Sequence, residues 1–587
     1  MEPAIKGPVF PGGIWGVDFE FRPIAGIEGN PIEVVCMVAR EFGSDVELRL
    51  WGDQLAQLRR APFPTGGNAL FVAYGASVEA QCIKALGWTY PEQILDLYPE
   101  FRNHTNGRPG PSGNGLVGAL AYFGEPCMDV AEKDEMRALE LRGGPFSPEE
   151  KAAILDYCER DVDALLRLFK RMQRKGLLDW PRALWRGQSA IATAEAASNG
   201  IPIDLELLDK LRSDGPAIAA SLIKEVDENF GVYEDGHFRI LHFRRLLESK
   251  GIEVPLTSTG RVSVSEDSLA ELAIAHPQFV PLHQLRKLLV NLRSMKLTVG
   301  VDGRNRYAQF PFASKTGRSQ PSTSKSIFCN PSALRPLIRP QLGFAVAYVD
   351  YAQQEPGIAA AQSGDLVMQA AYRAEDFHMS SAISAGVAPK GATKASHPEV
   401  RESFKQVSLG VLYGMTEHGL SRRLGISLHQ AQVLLDAHRN AFTRFWRWSD
   451  AVVDHALLMG KLSTVYGWTL HVERSPNVRS LRNFLMQATG AEMLRLAADG
   501  LVRRGIRLCA TVHDAVLIEA PVDEIDAAVA ITQAVMSEAS MLVLDGFEIK
   551  TDVKVVRFPD RFIEPKGQQM WMRLLQLLDE FPQPNLD

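Results

Sequence analysis

The pattern of apolar and polar positions divides the chain into two blocks. Near the N-terminus, short apolar or alternating runs at residues 14–21, 34–40 and Glu47–Trp51 predict β-strands. From about residue 185 onward, apolar residues recur at the spacing of amphipathic helices. Two strand-like stretches, Phe344–Tyr351 and residues 509–519, interrupt those helices. The pattern predicts an α/β protein with more than one domain.

Two local signals refine this outline. Residues 147–150 read Ser-Pro-Glu-Glu, a capping box with proline at the first helical position, and predict a helix through residues 152–172. Residues 315–326 are rich in Thr, Ser, Gly and Pro and predict an exposed loop. We predict a first domain at residues 1–180 and a second at residues 181–587.

Composition narrows the class of protein. The 587 residues include 64 Lys and Arg against 70 Asp and Glu, and the net charge of −6 excludes a generally basic, histone-like binder, though not a local basic cleft. A hydrophobic fraction of 46% and a charged fraction of 23% are typical of globular proteins. No run approaches the ~20 apolar residues of a membrane span, and no signal peptide is evident. We therefore expect a cytoplasmic location and no membrane partner.

The cysteines argue against a disulfide framework or a zinc site, because none of them form close pairs at metal-binding spacing. The six are Cys36, Cys82, Cys127, Cys158, Cys329 and Cys509. Any metal is therefore expected to be held by carboxylates, which bind hard ions such as Mg²⁺ or Mn²⁺.

Two acidic residues stand two positions apart on the first predicted strand. Asp18 and Glu20 are expected on the same face, because strand side chains alternate. Adjacent carboxylates repel, and a divalent cation between them relieves the repulsion. Further along, Tyr157 and Asp161 share a face of the predicted helix. Taken singly, a solvent-facing strand edge explains Asp18 and Glu20 better than a metal site does, and a polar helix stripe explains Tyr157 and Asp161.

Two aspartates mark the strand-like stretches of the second block. Asp350 ends one stretch, and Asp514 lies at the tip of the hairpin predicted for residues 509–519. Brought together, they would make a two-metal site, although an aspartate at a strand end is common.

A cationic helix lies between these aspartates in the sequence. Arg401, Lys405 and Leu409 recur at helical spacing, and Tyr413 is one step further. Two cations one turn apart suit a triphosphate, whereas the simpler alternative is an ordinary solvated basic face.

The early Asp-x-Glu strand and the late Tyr-x-x-x-Asp helix together resemble the proofreading 3′–5′ exonucleases of the DEDD type with Tyr. The resemblance implies a ribonuclease H-like domain in which two metal ions held by four carboxylates activate water. It implies that Asp18, Glu20 and Tyr157 act in catalysis and that Asp18, Glu20 and Asp161 hold metal.

The middle motif of that family departs from its usual form here. The matching segment reads Leu-Phe-Val-Ala-Tyr-Gly-Ala-Ser-Val-Glu over residues 70–79, so that Glu79 replaces the usual Asp as the remaining metal ligand. Asp96 is a competing ligand, although its setting is typical of a structural segment.

Several motifs of the second block resemble, in order, those of family A (DNA polymerase I-like) DNA polymerases. These motifs are Thr316-Gly-Arg318, Asp350-Tyr-Ala-Gln-Gln-Glu355, Asp376-Phe-His378, the Arg401–Tyr413 helix, Arg479-Ser-Leu-Arg-Asn483-Phe-Leu-Met-Gln487 and His513-Asp514. The resemblance covers roughly residues 185–587. It implies a right-hand polymerase domain, with the thumb at about 185–300 and the palm and fingers at about 301–587.

The resemblance also implies a role for each matching residue. Asp350 and Asp514, with the Tyr351 carbonyl, would hold two Mg²⁺ ions, for which Mn²⁺ can substitute, and Lys405 would assist catalysis. The residues assigned to the incoming nucleotide are Arg401, Lys405, Glu355 (as a gate against a ribose 2′-hydroxyl), Leu409, Tyr413, Tyr351 and His378. Those assigned to DNA are Arg318, Arg479, Asn483, Gln487 and His513. The implied partners are primer-template DNA, deoxynucleoside triphosphates and replication accessory proteins.

Four departures from the family pattern stand out. Ala515 follows Asp514 where Glu is usual, and Leu409 stands in place of Phe or Tyr. Gln354-Glu-Pro-Gly357 replaces Ile-Glu-Leu-Arg, and Trp468 stands where Arg is common. Together they resemble a phage branch of the family, including polymerases linked to 2-aminoadenine genomes, which would place the protein in a host cell's cytoplasm.

Three alternatives to a proofreading DNA polymerase remain at this point. They are a 3′–5′ exonuclease with a degenerate, non-polymerising DNA-binding body, a non-catalytic nucleic-acid scaffold, and a template-directed RNA polymerase. Asp350, Asp514, Arg401 and Lys405 count against the first alternative, and a scaffold would not need both pairs of carboxylates. Glu355 and the exonuclease-like block favour deoxynucleotides over ribonucleotides.

Overall fold

The structure is a computed structural model that describes residues 7–109, 113–126, 130–257, 259–473 and 476–580. Cys127 lies outside these residues. The five described cysteines are free thiols, of which Cys329 alone is exposed. Within the described part, no helix combines the length and the apolar content needed to cross a bilayer.

The first block is a five-stranded sheet with helices on its faces. Its strands are β1 (Ile14–Pro23), β2 (Ile32–Glu41), β3 (Glu47–Trp51), β4 (Leu70–Ala73) and β5 (Ile94–Asp96). Its helices are α1 (Gly52–Leu55), α2 (Ser77–Ala85), α3 (Leu97–Thr105), α4 (Leu116–Phe123), α5 (Val130–Arg142), α6 (Pro148–Arg174) and α7 (Trp180–Asn199). The three strands and the long helix predicted from the sequence are confirmed.

The first sheet has the strand order β3-β2-β1-β4-β5, with β1 at its centre. β1 runs antiparallel to β2 and parallel to β4. The capping box forms as predicted, because Glu150 N donates to Ser147 Oγ at 3.2 Å and Ser147 N donates to Glu150 Oε2 at 2.9 Å. The helix that it starts, α6, packs against β1 and β2. The centre of the sheet and α6 therefore face each other.

The second block is mainly helical around a four-stranded sheet. Its helices are α8 (Leu205–Asp227), α9 (Ile240–Ser249), α10 (Glu266–Ala275), α11 (Val280–Arg293), α12 (Gln354–Ser363), α13 (Leu366–Arg373), α14 (Phe377–Ser384), α15 (Pro398–Leu412), α16 (Glu417–Leu424), α17 (Leu428–Ala441), α18 (Thr443–Met459), α19 (Val478–Arg503), α20 (Ile525–Val543) and α21 (Pro565–Glu580). Its strands are β6 (Ile201–Pro202), β7 (Tyr233–Glu234), β8 (His237–Phe238), β9 (Arg304–Asn305), β10 (Gln309–Phe310), β11 (Gln320–Pro321), β12 (Phe344–Tyr351), β13 (Lys461–Ser463), β14 (Thr469–His471), β15 (Arg507–Val512), β16 (Ala515–Pro521) and β17 (Thr551–Arg557).

The second sheet is antiparallel with the order β15-β16-β12-β17, and both of its faces are covered. Ala345, Ala347 and Val349 of β12 point into a core shared with α12, α19 and α20. Val346, one position out of phase, points into a core shared with α8, α11 and α21. This burial on two faces explains why β12 reads as a nearly continuous apolar run. A mixed α/β architecture, as predicted, is confirmed.

The two blocks pack against each other through α7. This helix contacts α2 and β5 on one side and β15 and α19 on the other. Arg186 of α7 donates to both carboxylate oxygens of Glu100 in α3, at 2.6 and 2.8 Å, and both side chains are buried.

The prediction of an exposed loop at residues 315–326 was wrong in part. Lys315 is exposed, but Gly317 and Ser326 are buried, and β11 lies within this range. Gly317 packs so closely on Trp468 that an added Cβ would lie 3.1 Å from the indole ring. In this segment the small residue Gly317 therefore allows the backbone to pack closely on Trp468, in addition to any contact that the segment makes with water.

Candidate active sites

Asp350 and Asp514 meet at one end of the second sheet. Asp350 is the penultimate residue of β12, and Asp514 lies in the two-residue turn between β15 and β16, where His513 has a φ of 54°. Because β12 pairs with β16, Asp350 is directly opposite Ala515, one residue beyond Asp514. The Tyr351 N–H donates to the Asp514 carbonyl at 3.2 Å. Strand pairing therefore brings together two acids that are far apart in sequence.

The two carboxylates repel each other strongly enough to favour a bound proton or cation. The pKa of Asp350 is raised to about 8 by burial, by the neighbouring charge of Asp514 and by a hydrogen bond with it, and by the charge of Asp552. Asp350 Oδ1 is buried and finds no hydrogen-bond partner among the described residues. An all-oxygen pair with an unused buried acceptor fits a hard divalent cation such as Mg²⁺ or Mn²⁺. The Tyr351 side chain is buried and donates its hydroxyl to Met536 O at 2.8 Å, so only its backbone remains for such a site.

Asp552 is a third acid of this cluster that the sequence analysis missed. It lies on β17, directly opposite Asp350 on the side away from Ala515. Cross-strand partners share a face of the sheet, so Asp552 and Ala515 flank Asp350 on that face. The alternation of polar and apolar residues in β17 could have predicted this strand, but no motif in the sequence marks Asp552 as a site residue.

The predicted cationic helix forms as α15. Arg401 Nε donates to the carboxylate of Asp376, which in turn caps α14 by accepting from Met379 N at 3.1 Å. Lys405 is half-exposed, with Nζ 3.7 Å from Glu402. Leu409 follows on the same side, half-buried. Arg401 and Lys405 thus lie one helical turn apart on α15, each beside an acidic side chain.

His378 is buried beside Arg401. Burial and the positive charge of Arg401 lower its pKa to about 4, so the imidazole is neutral near pH 7. Its Nδ1 has no partner within the part of the chain that is described. The imidazole therefore offers hydrogen-bonding atoms but no charge at this position.

Glu355, in the first turn of α12, is the centre of a polar group. Arg318 Nη2 donates to Glu355 Oε1 at 3.3 Å, and the Tyr413 hydroxyl hydrogen-bonds with both Glu355 and Gln487. Burial and the Glu355 charge raise the pKa of Tyr413 to about 12, so its hydroxyl stays protonated. These contacts fix the Glu355 carboxylate from two sides.

A row of polar residues leads away from this group along α19. Arg479, Asn483 and Gln487 are four residues apart and therefore lie on one side of the helix. Arg479 packs against Gly414, and the buried Oδ1 of Asn483 is unpartnered within the described structure. His513 is exposed and lines a narrow cavity of about 60 Å³ together with Arg318.

A second group of carboxylates lies between β1 and α6. Asp18 and Glu20 are on β1, and α6 presents Tyr157, Cys158 and Asp161 to them. Carboxylate oxygens of Asp18 and Glu20 and the sulfur of Cys158 lie within 4.8 Å of one another. Cys158 Sγ is 3.5 Å from Asp18 Oδ2. Asp18 and Glu20 thus lie close together on β1, as the alternation of strand side chains predicted, with Cys158 of α6 beside them.

Burial and mutual repulsion raise the pKa values of these acids. Burial and Asp161 raise the pKa of Asp18, and burial and Asp18 raise the pKa of Glu20. Burial likewise raises the pKa of Asp161, although the charge of Lys133 and a hydrogen bond from Tyr157 oppose it. Burial, followed by Asp161, raises the pKa of Tyr157. A divalent cation would relieve the repulsion between these buried carboxylates.

The hydrogen bonds of Glu79 and Asp96 show which of the two has an oxygen free to bind a metal ion. Glu79 of α2 is buried, its Oε2 has no partner among the described residues, and burial and Asp18 raise its pKa. Asp96 instead accepts from Gly75 N, Ala76 N and Tyr98 N at 2.8–3.0 Å and caps α3. Glu79 therefore has a free ligand atom near Asp18, whereas Asp96 is engaged in holding the local backbone.

Glu140 is a fifth carboxylate of this group that the sequence analysis did not find. It lies on α5, is 1% exposed, and shares a hydrogen bond with Glu20. Arg137 donates to its Oε2 at 3.0 Å, and Oε1 lacks a partner within the described residues. No local motif marks it, because α5 reaches β1 only through tertiary packing.

Comparison with known proteins gives consistent matches to one family. A family model for DNA polymerase family A matches residues 239–557. The thermostable DNA polymerase I of Thermus filiformis is 28% identical over 381 residues, which are 59% of this chain and 44% of that protein. That of Thermus aquaticus is 26% identical over 447 residues, 71% of this chain and 52% of that protein. The chain thus spans about half the length of these relatives.

A solved structure has the same fold. The POL domain of Pol1 from M. smegmatis, in complex with DNA primer-template and dNTP, superposes with a TM-score of 0.69. The two chains are 20% identical, and the match covers 93% of this chain and 95% of the other.

Proposed function

This chain belongs to DNA polymerase family A, and from that premise we propose that it adds deoxynucleotides to the 3′ end of a primer as a template strand directs. The observation that carries the proposal is the meeting of Asp350 and Asp514 at the end of one sheet. Primer-template DNA and deoxynucleoside triphosphates are then its partners, with replication accessory proteins as further candidates. We assign the thumb to about 185–300 and the palm and fingers to about 301–587.

Asp350 and Asp514, with the Tyr351 carbonyl, would hold two Mg²⁺ ions, which Mn²⁺ can replace. When bound, such ions lower the pKa of the primer hydroxyl and stabilise the charge on the departing pyrophosphate. The chain's own contribution is positioning and electrostatics. Arg401 and Lys405 would bind the triphosphate, and Lys405 can transfer a proton to the leaving group.

The polar group around Glu355 would select the sugar and align the duplex. The Glu355 carboxylate contacts Arg318 and Tyr413, and in this role it would occupy the space that a ribose 2′-hydroxyl needs. Leu409 and Tyr413 would border the base, and His378 a phosphate oxygen. The residues proposed to contact primer and template are Arg318, Arg479, Asn483, Gln487 and His513.

We further propose that residues 1–180 form a ribonuclease H-like 3′–5′ exonuclease domain that trims mispaired primer ends. The closeness of Asp18 and Glu20 supports this proposal, as do the charge of Asp161, which raises the pKa of Asp18, and the charge of Asp18, which raises the pKa of Glu79. These four acids would hold two metal ions, and Tyr157 would orient the attacking water. The free Glu79 oxygen supports Glu79, rather than Asp96, as the ligand.

Primer extension tests the proposal directly. The full chain is incubated with Mg²⁺, a labelled primer-template and each dNTP, and extension by the templated base alone is expected. Absence of extension alongside trimming of 3′ ends would favour the alternative of an exonuclease with a degenerate body. Competition between dATP and the 2-aminoadenine deoxynucleotide opposite thymine tests the phage-branch resemblance, which predicts acceptance of the latter.

A further inference from the structure

The end of α3, in the N-terminal block, holds the backbone of a loop in the polymerase block. This loop, residues 312–318, is called the Arg318 loop below. Arg102 Nη2 donates to Ala313 O at 2.8 Å, and Asn106 Nδ2 donates to Lys315 O at 2.7 Å. Neither carbonyl is bonded within the loop's own turn, and Lys315 O also accepts from Trp468 Nε1 at 2.9 Å.

Asn106, together with Asn103 of α3, also bonds the hairpin of β13 and β14. Asn106 Nδ2 donates to Thr469 O at 2.9 Å, so its amide nitrogen bonds the loop and the hairpin at once. Asn103 donates to Gly467 O at 3.0 Å and accepts from Thr469 N at 2.7 Å. Asn106 is 2% exposed, so water does not compete for these bonds.

The Arg318 loop is in turn connected to the Glu355 group. Ser314 N donates to Arg318 O at 3.2 Å, and Arg495 Nη1 donates to Gly317 O at 2.7 Å. Arg318 then donates to Glu355 at 3.3 Å. A shift of the loop backbone therefore moves the guanidinium that fixes Glu355.

We propose that Asn106, assisted by Arg102 and Asn103, is a positioning residue for nucleotide selection at the polymerase site. It acts through the Arg318 loop and the Arg318–Glu355 pair, and it makes the N-terminal block part of the polymerase scaffold. The inference rests on the proposed polymerase function. Displacements of about 1 Å reduce the rates of enzymes substantially, so loss of these bonds has a kinetic effect beyond any effect on stability.

The test uses the full chain with Asn106→Ala and Arg102→Ala. Thr105→Val is the matched control, because Thr105 is buried on the same helix and its hydroxyl bonds only Phe101 O, at 2.9 Å. Steady-state kcat and KM are measured for a dNTP and for the matching rNTP, after circular dichroism has established that each variant is folded. Asn106→Ala is expected to lower kcat/KM for the dNTP by about tenfold and the dNTP/rNTP preference by about fivefold. Thr105→Val should stay within about twofold of wild type.

Three outcomes would overturn the proposal. In the first, the folded Asn106→Ala variant retains both the activity of wild type and its preference for dNTP over rNTP. In the second, it loses activity equally with both nucleotides, which is the signature of a purely structural role. If Asn106→Ala fails to fold, the half-buried Arg102→Ala decides, and an unchanged preference in that variant counts against the proposal. A wild-type chain that extends no primer refutes the polymerase function itself and is distinct from all three.

Discussion

At the scale of single residues, Glu355 illustrates how this chain fixes a charge. The carboxylate accepts from Arg318 and hydrogen-bonds with Tyr413. The raised pKa of Tyr413, about 12, keeps its hydroxyl protonated as a donor over the physiological range. In the proposed role, a carboxylate held in this way would exclude a ribose 2′-hydroxyl by its volume.

Glu355→Ala is expected to relax sugar selection. Removing the carboxylate opens space for a 2′-hydroxyl, and incorporation of rNTP relative to dNTP should rise by about tenfold, or ~1.4 kcal/mol. The measurement is the ratio of kcat/KM values for matched nucleotides. Glu417→Ala, which also removes an acid from the first turn of a helix, is the control. Equal discrimination in Glu355→Ala and wild type would reject the gate.

Asp161→Asn is expected to abolish trimming while sparing synthesis. The substitution keeps the shape of the side chain but removes a charge from the Asp18 cluster, and trimming should fall by about 10²-fold or more. Asp156→Asn, on the same helix but directed toward Arg49, should leave trimming unchanged. Degradation of a single-stranded 3′-labelled DNA measures the trimming rate of each of the two variants. Trimming by Asp161→Asn at the wild-type rate would show that the hydrolytic site lies elsewhere.

At the scale of elements, local signals in the sequence predicted local structure well. The capping box at Ser147 and the apolar run of β12 depend on neighbouring residues alone, and both formed as predicted. The buried parts of residues 315–326 depend on Trp468, which is distant in sequence. Asp552 and Glu140 reach their clusters through an edge strand and a packed helix, so no spacing rule reveals them.

Helices α17 and α18 are joined by a buried histidine. Trp446 Nε1 of α18 donates to His438 Nδ1 of α17 at 3.2 Å, and His438 stacks near Phe404. Burial lowers the pKa of His438 from 6.5 to about 3. The folded protein therefore holds the neutral imidazole at pH values where an unfolded chain would bind a proton.

This histidine is expected to make stability fall as the pH falls. Because the folded pKa lies below the unfolded one, its contribution is complete above about pH 6.5 and is lost as the pH falls toward 3. Between pH 7 and 5 the loss should be about 2 kcal/mol. The free energy of unfolding is measured in urea at several pH values. In His438→Asn, whose Oδ1 can accept from Trp446, this part of its dependence on pH should be absent. Identical slopes in the two proteins would contradict the assigned shift.

At the scale of the whole molecule, the two blocks form one structure joined at α7. The buried Arg186–Glu100 pair links α7 to α3. Asn106 directly follows the last residue of α3. Arg186 donates further to Tyr466 O at 3.1 Å, in the turn between β13 and β14. The N-terminal sheet and the region around Trp468 are thus connected through side chains with little access to water.

Breaking this pair is expected to destabilise both blocks. Arg186→Met leaves the Glu100 carboxylate buried without its partner, and the free energy of unfolding should fall by about 3–5 kcal/mol. The double variant Glu100→Met with Arg186→Met should lose less, because no uncompensated charge remains. Urea unfolding followed by tryptophan fluorescence measures both. A double variant less stable than Arg186→Met would show that the pair contributes more than the desolvation of its charges costs.

We propose that Asp350 and Asp514 together form the site of nucleotide addition. This assignment is tested by single-nucleotide extension in Mg²⁺ by Asp350→Asn and Asp514→Asn, with Asp526→Asn as the control, since Asp526 is exposed and pairs with Arg557 beside the same sheet. Primer-template affinity is measured in parallel by fluorescence anisotropy. Both site variants are predicted to extend at least about 10³-fold more slowly while binding DNA within about threefold of wild type, and the control should match wild type. Extension by either site variant at a rate close to that of wild type would contradict the account.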